Sequence, residues 1–363
     1  MPEIERFDGQ ANIERLVATL RGEPVDRVPH FEVLIEDLHV EKLLGRKAGN
    51  TLGVAGNPAK GSEAAESAMR PMFARDYLEL CRIIGQDAIA VEAFWTPLKR
   101  VRADGSTGAI TDRTIKSRAD MARIIWPGEA EMEERLQYVR EYVAAAKGTG
   151  IGVIFGGCCI FQTLYEFVIG LSDCMLMIME DRDFFEELMS RSADYFAELL
   201  KRAIAEGIDV FEGGDDFAFK NGLFVRPQIF KEIWRPYWER ILAPAHEAGI
   251  PVIFHSDGRI DAAMDMLIEM GVDCITPMDP SGVDYRDYKK RYGSSVGLLG
   301  NIDIGWPLVN GTPEDVDRDV KEHMDVLKPG GRWVAATSHS VVNYIPHENL
   351  IAMISAFHRY GRY

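Results

Sequence analysis

Short apolar, β-rich runs alternate with longer amphipathic segments along almost the whole of this 363-residue chain. Eight such runs occur, at 28–35, 87–94, 151–157, 208–214, 251–256, 273–278, 295–301 and 332–338. Segments such as 132–150 and 184–207 between them carry helical periodicity, and several helical segments end in glycine directly before the next run. Eight strands alternating with helices predict an α/β fold, most simply a (β/α)8 TIM barrel. A doubly wound open sheet is the alternative, because strand count alone does not separate the two.

The chain is predicted to form one domain. No linker rich in proline, glycine and serine divides residues 1–363. Residues 1–27 are expected to form an N-terminal helical extension. The polar, Gly/Ala-rich stretch 45–75 interrupts the alternation and is expected to be an excursion or lid.

The charge and cysteine content limit the classes of protein to which this chain can belong. A formal net charge of −16 argues against nucleic-acid binding, which normally needs a basic face. The five cysteines form no Cys-x-x-Cys pair, which fits a reducing compartment better than a disulfide framework. The N-terminus has no apolar core of a signal peptide, and no stretch reaches the roughly 18 apolar residues of a membrane helix. We therefore expect a soluble, cytoplasmic protein with no membrane partner.

Acidic and imidazole side chains follow the strand runs at their carboxyl ends, where the active sites of barrels lie. The fifth run leads into His255 and Asp257, the eighth is followed by His339, and the fourth leads into Glu212 and Asp216. Burying several carboxylates together is costly unless a cation or a proton is shared among them. These residues therefore point to a metal site or an acid/base site.

Most of these residues also have a structural interpretation. A strand-end histidine such as His255 can bond a backbone carbonyl in the core, and Asp257 before a glycine is ordinary turn chemistry. Asp215 and Asp216, after a pair of glycines, can cap the next helix. Glu212 is harder to explain in this way, because it ends an apolar strand, where an unpaired carboxylate is expensive.

Four sequence segments resemble the uroporphyrinogen decarboxylase superfamily. They are NIERLVATLRGEPVDRVPHFE (12–32), PVIFHSDG (251–258), GNIDI (300–304) and IPHENLIAMISAFHRYG (345–361), in matching order. The resemblance covers nearly the whole chain. It implies the (β/α)8 barrel of that superfamily, in agreement with the strand pattern.

The sequence departs from true uroporphyrinogen decarboxylases at two functional segments. Those enzymes follow the first strand with an arginine-rich loop that grips substrate carboxylates, whereas this chain has FEVLIEDLHVEKLLG, with Glu32 and Glu36 and no arginine. The catalytic aspartate expected near the second strand end is not apparent in the run VEAFWTP. Because an acidic mouth would repel a polycarboxylate porphyrinogen, we do not expect porphyrinogen decarboxylation.

The resemblance extends to the corrinoid-dependent methyltransferases of the superfamily, which bind zinc through a His-x-Cys pair after the fifth strand and a cysteine after the eighth. His255 matches the first ligand, Asp257 takes the place of the first cysteine, and His339 takes the place of the second, seven residues before Pro346. Glu212 could complete the metal shell. Nitrogen and oxygen donors suit a zinc ion that acts as a Lewis acid on a substrate oxygen, whereas thiolates suit thiol activation.

The resemblance thus implies methyl transfer between a small substrate, most simply a methoxylated aromatic, and the cobalt of a separate corrinoid protein. Cleaving an aryl ether needs an acid for the leaving oxygen, and the candidates are Glu92, Asp216 and Tyr344. A planar substrate is expected to meet an aromatic wall of Phe94, Trp95, Phe161, Phe217 and Phe219, with Asn343 as a further contact. The corrinoid is expected on a partner protein because the chain contains no Asp-x-His-x-x-Gly cobalt-binding loop. Members of the superfamily include dimers, so a homodimer is one option.

Two other functions remain open. A decarboxylase or lyase of another carboxylic acid predicts an arginine at the mouth, for which Arg226 and Arg259 are candidates. A non-catalytic barrel that binds a ligand or a partner predicts that no metal copurifies with the protein.

Overall fold

The computed structural model describes residues 4–5, 7–52, 72–92, 98–101, 107–110 and 112–363. The strands of the described residues are β1 (Ala88–Glu92), β2 (Lys99–Val101), β3 (Thr107–Ala109), β4 (Gly152–Cys158), β5 (Val210–Gly214), β6 (Ala218–Phe219), β7 (Gly222–Leu223), β8 (Val252–His255), β9 (Cys274–Thr276), β10 (Gly297–Leu299) and β11 (Trp333–Val334). Seven of them form one parallel sheet in the order β1-β4-β5-β8-β9-β10-β11, and β2-β3 and β6-β7 are antiparallel hairpins.

The described residues also form helices, most of which lie between successive strands along the chain. They are α1 (Ile13–Arg21), α2 (Asp37–Leu44), α3 (Ala74–Ile84), α4 (Glu129–Ala146), α5 (Phe161–Thr163), α6 (Leu171–Glu180), α7 (Arg182–Glu206), α8 (Pro227–Ile233), α9 (Arg235–Ala248), α10 (Met264–Glu269), α11 (Tyr285–Tyr292), α12 (Pro313–Leu327) and α13 (His347–Tyr360). Short 3-10 turns occupy Arg118–Arg123 and Asp261–Ala263, and π-helical turns occupy Leu164–Val168 and Ile304–Val309. The helices predicted at 132–150 and 184–207 are confirmed as α4 and α7.

The sheet curls into a barrel because residues 28–35 join its two edges. On one side, Ala335 N–H donates to Pro29 O at 2.9 Å, and Phe31 N–H donates to Ala335 O at 3.2 Å. On the other side, Asp87 N–H donates to His30 O at 3.3 Å, immediately before β1. The predicted barrel is therefore confirmed, but its first position is an extended segment with isolated bridges rather than a regular strand.

Hydrogen bonds of the Glu32 side chain replace part of the backbone hydrogen bonding that a regular strand at residues 28–35 would make. Its carboxylate accepts hydrogen bonds from Thr337 N at 3.1 Å and Thr337 Oγ1 at 2.6 Å, and it lies 3.2 Å from His30 Nε2. Its backbone N–H donates to Gln86 Oε1 at 3.0 Å. Glu32 is only 2% exposed, and these contacts tie residues 28–35 to the segment after β11 and to the residue pair before β1.

Helix α1 closes the amino-terminal end of the barrel. Leu16 and Leu20 lie four residues apart on one face and pack into the barrel interior with no exposed area. Asn12 caps the helix by accepting from Glu14 N–H at 3.0 Å. Arg15 fixes its position through 2.7 Å ion pairs to Asp26 and to Asp87, the residue before β1.

Two of the sequence expectations can be compared with the structure only within the described residues. Helix α2 ends at Leu44 and α3 begins at Ala74, so most of the predicted excursion at 45–75 lies outside the described residues. In the described ranges, no single helix is long and apolar enough to span a membrane. Only the pair Phe161–Val168 and Leu171–Glu180, bent by 120°, has the length and composition when its halves are combined.

Replacing Glu32 by alanine is expected to destabilise the barrel by about 3 kcal/mol, because the buried Thr337 N–H and hydroxyl lose their charged acceptor. Urea unfolding followed by circular dichroism measures this change. Glu23→Ala, at an exposed position beyond α1, is the matched control and is expected to change stability by less than about 0.5 kcal/mol. Equal unfolding midpoints for the two variants would contradict the assignment.

Candidate functional site

Neighbouring strand ends bring the candidate residues together at the carboxyl end of the barrel. In the parallel register, Gly214 at the end of β5 lies opposite His255 at the end of β8, and His255 lies opposite Thr276 of β9. A Cβ at Gly214 would approach His255 O to 2.6 Å, so only glycine permits this spacing. Asp216 and Asp257 each follow their strand end by two residues and therefore meet beside His255.

Asp216, His255 and Asp257 form a compact cluster of metal-ligand atoms. His255 Nε2 lies 3.9 Å from Asp216 Oδ1 and 3.8 Å from Asp257 Oδ1, and one ligand atom from each residue falls within 4.8 Å of the others. The second oxygen of Asp257 lies 3.7 Å from His339 Nε2. The four side chains therefore follow one another around the mouth, with Asp257 between the two histidines.

These spacings suit a shared cation better than direct pairing. All three separations exceed hydrogen-bond length, so the imidazole nitrogens do not bond these carboxylate oxygens directly. Zinc binds nitrogen and oxygen at roughly 2.0–2.2 Å, which makes the edges of its tetrahedron about 3.4 Å long. The observed separations are slightly wider than such edges, so a small inward movement would complete a site.

Asp216 is held in place by its own hydrogen bonds. Its Oδ1 accepts from Asp257 N–H at 2.7 Å, and its Oδ2 accepts from Gln162 Nε2 at 3.0 Å. Gln162 Nε2 also lies 3.2 Å from Glu166 Oε2, and Gln162 Oε1 accepts from Asp216 N–H at 3.3 Å. Gln162 therefore orients two carboxylates at once, as residues behind metal ligands commonly do.

Asp215 has a different role from its neighbour. It is fully buried, its Oδ1 accepts from Gln162 N–H at 2.8 Å, and its Oδ2 accepts from the indoles of Trp234 and Trp238 at 3.0 and 2.6 Å. Burial raises the pKa of Asp215 to about 7 against these hydrogen bonds. Asp215 thus caps a helix as the sequence suggested, but that helix is α5, after the neighbouring strand β4, and not the next one along the chain.

The electrostatic surroundings of Asp257 favour a cation. Burial raises the pKa of Asp257, the charges of Asp216 and Asp279 raise it further, and His255 and His339 oppose this. Within the described ranges, no lysine or arginine forms an ion pair with these carboxylates. Among the described residues, the groups that oppose the negative charge of Asp257 are therefore the imidazoles of His255 and His339.

Glu212 lies deeper in the barrel than the cluster. It pairs in register with Ile253, two residues before His255, and is 7% exposed. Burial raises its pKa to about 7, against the opposing effect of His255. The cluster of mutually close ligand atoms does not include Glu212, although the sequence suggested it as a fourth ligand.

The predicted substrate residues have mixed positions. Phe161 and Phe217 are 1% and 0% exposed, so a substrate cannot reach either ring in this conformation. The Asn343 amide holds α2, since Oδ1 accepts from Leu38 N–H and Nδ2 donates to Asp37 Oδ1. Tyr344 is 68% exposed. Glu92 ends β1 but its side chain is not among those described, and 94 and 95, where Phe94 and Trp95 were named as contacts, lie outside the described residues.

Sequence reasoning took Phe161 from the turn after β4 as a substrate contact but gave no role to Gln162, Tyr165 or Glu166. Gln162 reaches Asp216 from α5, and Glu166 lies beside Gln162 from the π-helical turn Leu164–Val168, which also carries the half-buried Tyr165. The only sequence signal was their place directly after a predicted strand. A π-helical turn has no simple sequence signature, although such turns are frequent at functional sites.

Comparison with known proteins decides the family. The family model described as uroporphyrinogen decarboxylase (URO-D) matches residues 11–360. The chain belongs to the uroporphyrinogen decarboxylase family. A methyltransferase from Methanosarcina mazei shares the fold of this URO-D member, with a TM-score of 0.66 and 16% identity over 96% of this chain and 98% of that one.

Curated relatives of this URO-D member are enzymes of two kinds. The methylcobamide:CoM methyltransferase MtaA of Methanosarcina barkeri is 22% identical, covering 95% of this chain and 97% of that protein. The uroporphyrinogen decarboxylase of Salinibacter ruber is 23% identical over 96% of both chains. That of Prochlorococcus marinus is 27% identical over 48% of this chain and 47% of its own. Overall similarity therefore does not separate decarboxylation from methyl transfer, and the site has to do so.

Gln162→Leu is expected to weaken divalent-metal binding by about tenfold or more, because Asp216 loses the amide that orients it. Titration of the metal-free protein with zinc, read by calorimetry, measures the change. Gln137→Leu is the matched control, because Gln137 Nε2 bonds Glu141 on the surface of α4 in a comparable way. Identical zinc affinities for the two variants would show that Gln162 does not position the cluster.

Metal affinity is expected to fall as the pH falls. The part of this loss that is due to protonation of Asp257 is expected to begin at a higher pH than for an ordinary carboxylate. A ligand must lose its proton to bind metal, and burial raises the pKa of Asp257, so protons compete at higher pH than usual. Zinc titrations between about pH 5 and 8 test this, with Asp257→Asn as the comparison. Asp257→Asn keeps the pH dependence that arises from the histidines. Its zinc affinity is therefore expected to change less steeply with pH than that of the wild type. Parallel slopes would contradict the prediction.

Proposed function

We propose that this protein is a zinc-dependent methyltransferase. It would move a methyl group between a small oxygen-bearing substrate, most simply a methoxylated aromatic, and the cobalt of a corrinoid protein. The observation that carries the proposal is the cluster of Asp216, His255 and Asp257 with His339 beside it. The methyltransferase relatives support the transfer reaction, and the donor atoms support the choice of metal and substrate.

The donor set fits zinc bound through nitrogen and oxygen. Imidazole and carboxylate are both ordinary zinc ligands, and the separations of 3.7 to 3.9 Å are close to those of ligands around one ion. Asp216, His255 and Asp257 would hold the metal, and His339 would join from the far side of Asp257. Bound there, zinc would supply Lewis acidity to the oxygen that leaves the methyl group.

The reaction needs the substrate oxygen to keep an electron pair and gain a proton. The electron pair of the broken methyl carbon–oxygen bond would stay on the substrate oxygen, and a Co(I) corrinoid supplied by the partner would take the methyl group. Burial places the pKa of Glu212 at about 7, so this carboxyl can hold a proton at neutral pH inside the barrel. We assign Glu212 as the carboxyl group that holds this proton beneath the cluster. Asp216 is assigned to the metal, although the sequence suggested it as an acid.

The cobalt has to come from outside the 363 residues. They contain no Asp-x-His-x-x-Gly loop, and the name of the MtaA relative states that it acts on a methylated cobamide. A cobamide bound to a partner protein could approach the carboxyl end of the barrel, where the cluster is half-exposed. We therefore propose a corrinoid protein as the partner.

A decarboxylase of a small carboxylic acid receives less support from the site. That reaction needs a cationic group for the substrate carboxylate. Arg259 instead pairs with Asp261 at 3.0 Å, and Arg226 is an exposed residue at the start of α8. The carboxylates of the mouth would repel a second anion.

Metal analysis of the purified protein tests the proposal. We expect stoichiometric zinc in the wild type, lost in His255→Ala and weakened in His339→Ala, because His339 Nε2 lies 3.7 Å from the outer oxygen of Asp257 and outside the cluster of three. His246→Ala is the control, since this histidine is exposed on α9. Methylation of cob(I)alamin by 2-methoxyphenol, followed by absorbance, is expected to fall with the metal content. A protein that binds no divalent metal, or variants that keep full activity, would refute the proposal.

A further inference from the structure

We propose that Tyr165, Phe219 and Phe224 form the binding face for the planar ring of an aromatic substrate. These three side chains are called the aromatic face below. The assignment rests on the proposed function and adds the residues that select the substrate. It replaces the rings of Phe161 and Phe217, which the structure buries.

The aromatic face is a continuous surface of rings. The Tyr165 and Phe224 centroids are 5.3 Å apart at an interplanar angle of 83°, and those of Phe219 and Phe224 are 4.4 Å apart at 50°. Phe219 is 50% exposed, and the other two rings are half-buried. Phe161 packs behind Tyr165 at 5.4 Å and is itself buried, so the face has a rigid backing.

The turn after β4 connects the aromatic face to the metal cluster. Tyr165 follows Gln162 by three residues, and helical spacing places residues three apart on the same side. Gln162 donates to Asp216 at 3.0 Å. Burial, together with the charges of Asp216, Asp215 and Glu166, raises the pKa of Tyr165 well above its usual value. Tyr165 therefore shares its turn with the residue that orients Asp216, and its hydroxyl stays protonated.

The hairpin β6-β7 connects the aromatic face to the loop that carries Asp257. Phe219 O accepts from Arg259 N–H at 2.9 Å, and Phe224 N–H donates to Phe217 O at 2.9 Å. A Cβ at Gly258 would approach Ala218 O to 2.6 Å, so the loop packs directly on the hairpin. The aromatic face and one metal ligand are thus parts of the same packed unit.

A half-exposed ring beside a metal cluster suits a planar substrate. Aromatic rings prefer offset or edge-to-face contact with another ring, which discriminates them from aliphatic groups of equal size. A substrate such as methanol would leave these rings uncovered. The arrangement therefore points to an aryl ether whose ring contacts the face while its oxygen reaches the cluster.

Equilibrium binding of simple probes tests the assignment without the methyl-transfer reaction. Phenol, 2-methoxyphenol and cyclohexanol are titrated into the full-length protein by calorimetry, with metal content measured in the same samples. Phe219→Leu keeps an apolar side chain but removes the ring, and Tyr165→Leu does the same on the other side of Phe224. Tyr363→Ala removes an exposed ring near Asp26, at the opposite end of the barrel, and is the control.

We expect Phe219→Leu and Tyr165→Leu each to weaken phenol binding by about two- to tenfold, with cyclohexanol binding changed less than about twofold. Tyr363→Ala is expected to bind all three probes like the wild type. Circular dichroism confirms folding of each variant. If Tyr165→Leu does not fold, the exposed position of Phe219 still provides the test.

Three results would overturn the assignment. They are wild-type protein that does not bind phenol, phenol affinity unchanged in folded Phe219→Leu, and equal losses for phenol and cyclohexanol. The last would indicate a general apolar surface, such as a contact for a partner protein. Zinc binding without phenol binding refutes only the aromatic face, whereas phenol binding without zinc refutes only the metal-dependent methyltransferase.

Discussion

The parallel register between β5 and β8 is the constraint on which the candidate site depends. It sets Gly214 opposite His255, at a distance that leaves no room for a side chain on the glycine. Because both strands run in the same direction, the residues that follow them emerge at the same end of the barrel. Asp216 and Asp257 meet beside His255 for this reason, and the Asp257 N–H to Asp216 contact of 2.7 Å fixes the two loops together.

Unbalanced negative charge is the second constraint, and it follows from the first. The register concentrates carboxylates at the mouth, and burial of a carboxylate without a counter-charge costs several kcal/mol. The fold manages this cost in three ways. Asp215 is satisfied by two indoles and a backbone N–H, whereas Asp216 and Asp257 face imidazoles at distances that leave space for an ion. Glu212, below them, can instead hold a proton, since burial raises its pKa to about 7.

The family uses one barrel for decarboxylation and for methyl transfer, so the architecture alone does not determine the chemistry. The side chains at the strand ends differ in what they can bind. Arginines would attract a substrate carboxylate, whereas the imidazoles and carboxylates of this chain attract a cation and would repel a polycarboxylate. The rings of the aromatic face would in addition select a planar substrate, which a cation site by itself does not do.

The alternating apolar runs of the sequence predicted an α/β fold with His255, Asp257 and His339 at strand ends, and the superfamily resemblance favoured the barrel over an open sheet. Tertiary structure decided which side chains act together. Gln162 and Asp216 are 54 residues apart and meet only because β4 and β5 are neighbours. Likewise, Phe217 is buried and Phe219 exposed, although both follow the same strand. Contacts between loops and the depth of a ring depend on register and packing, which residue type and spacing do not encode locally.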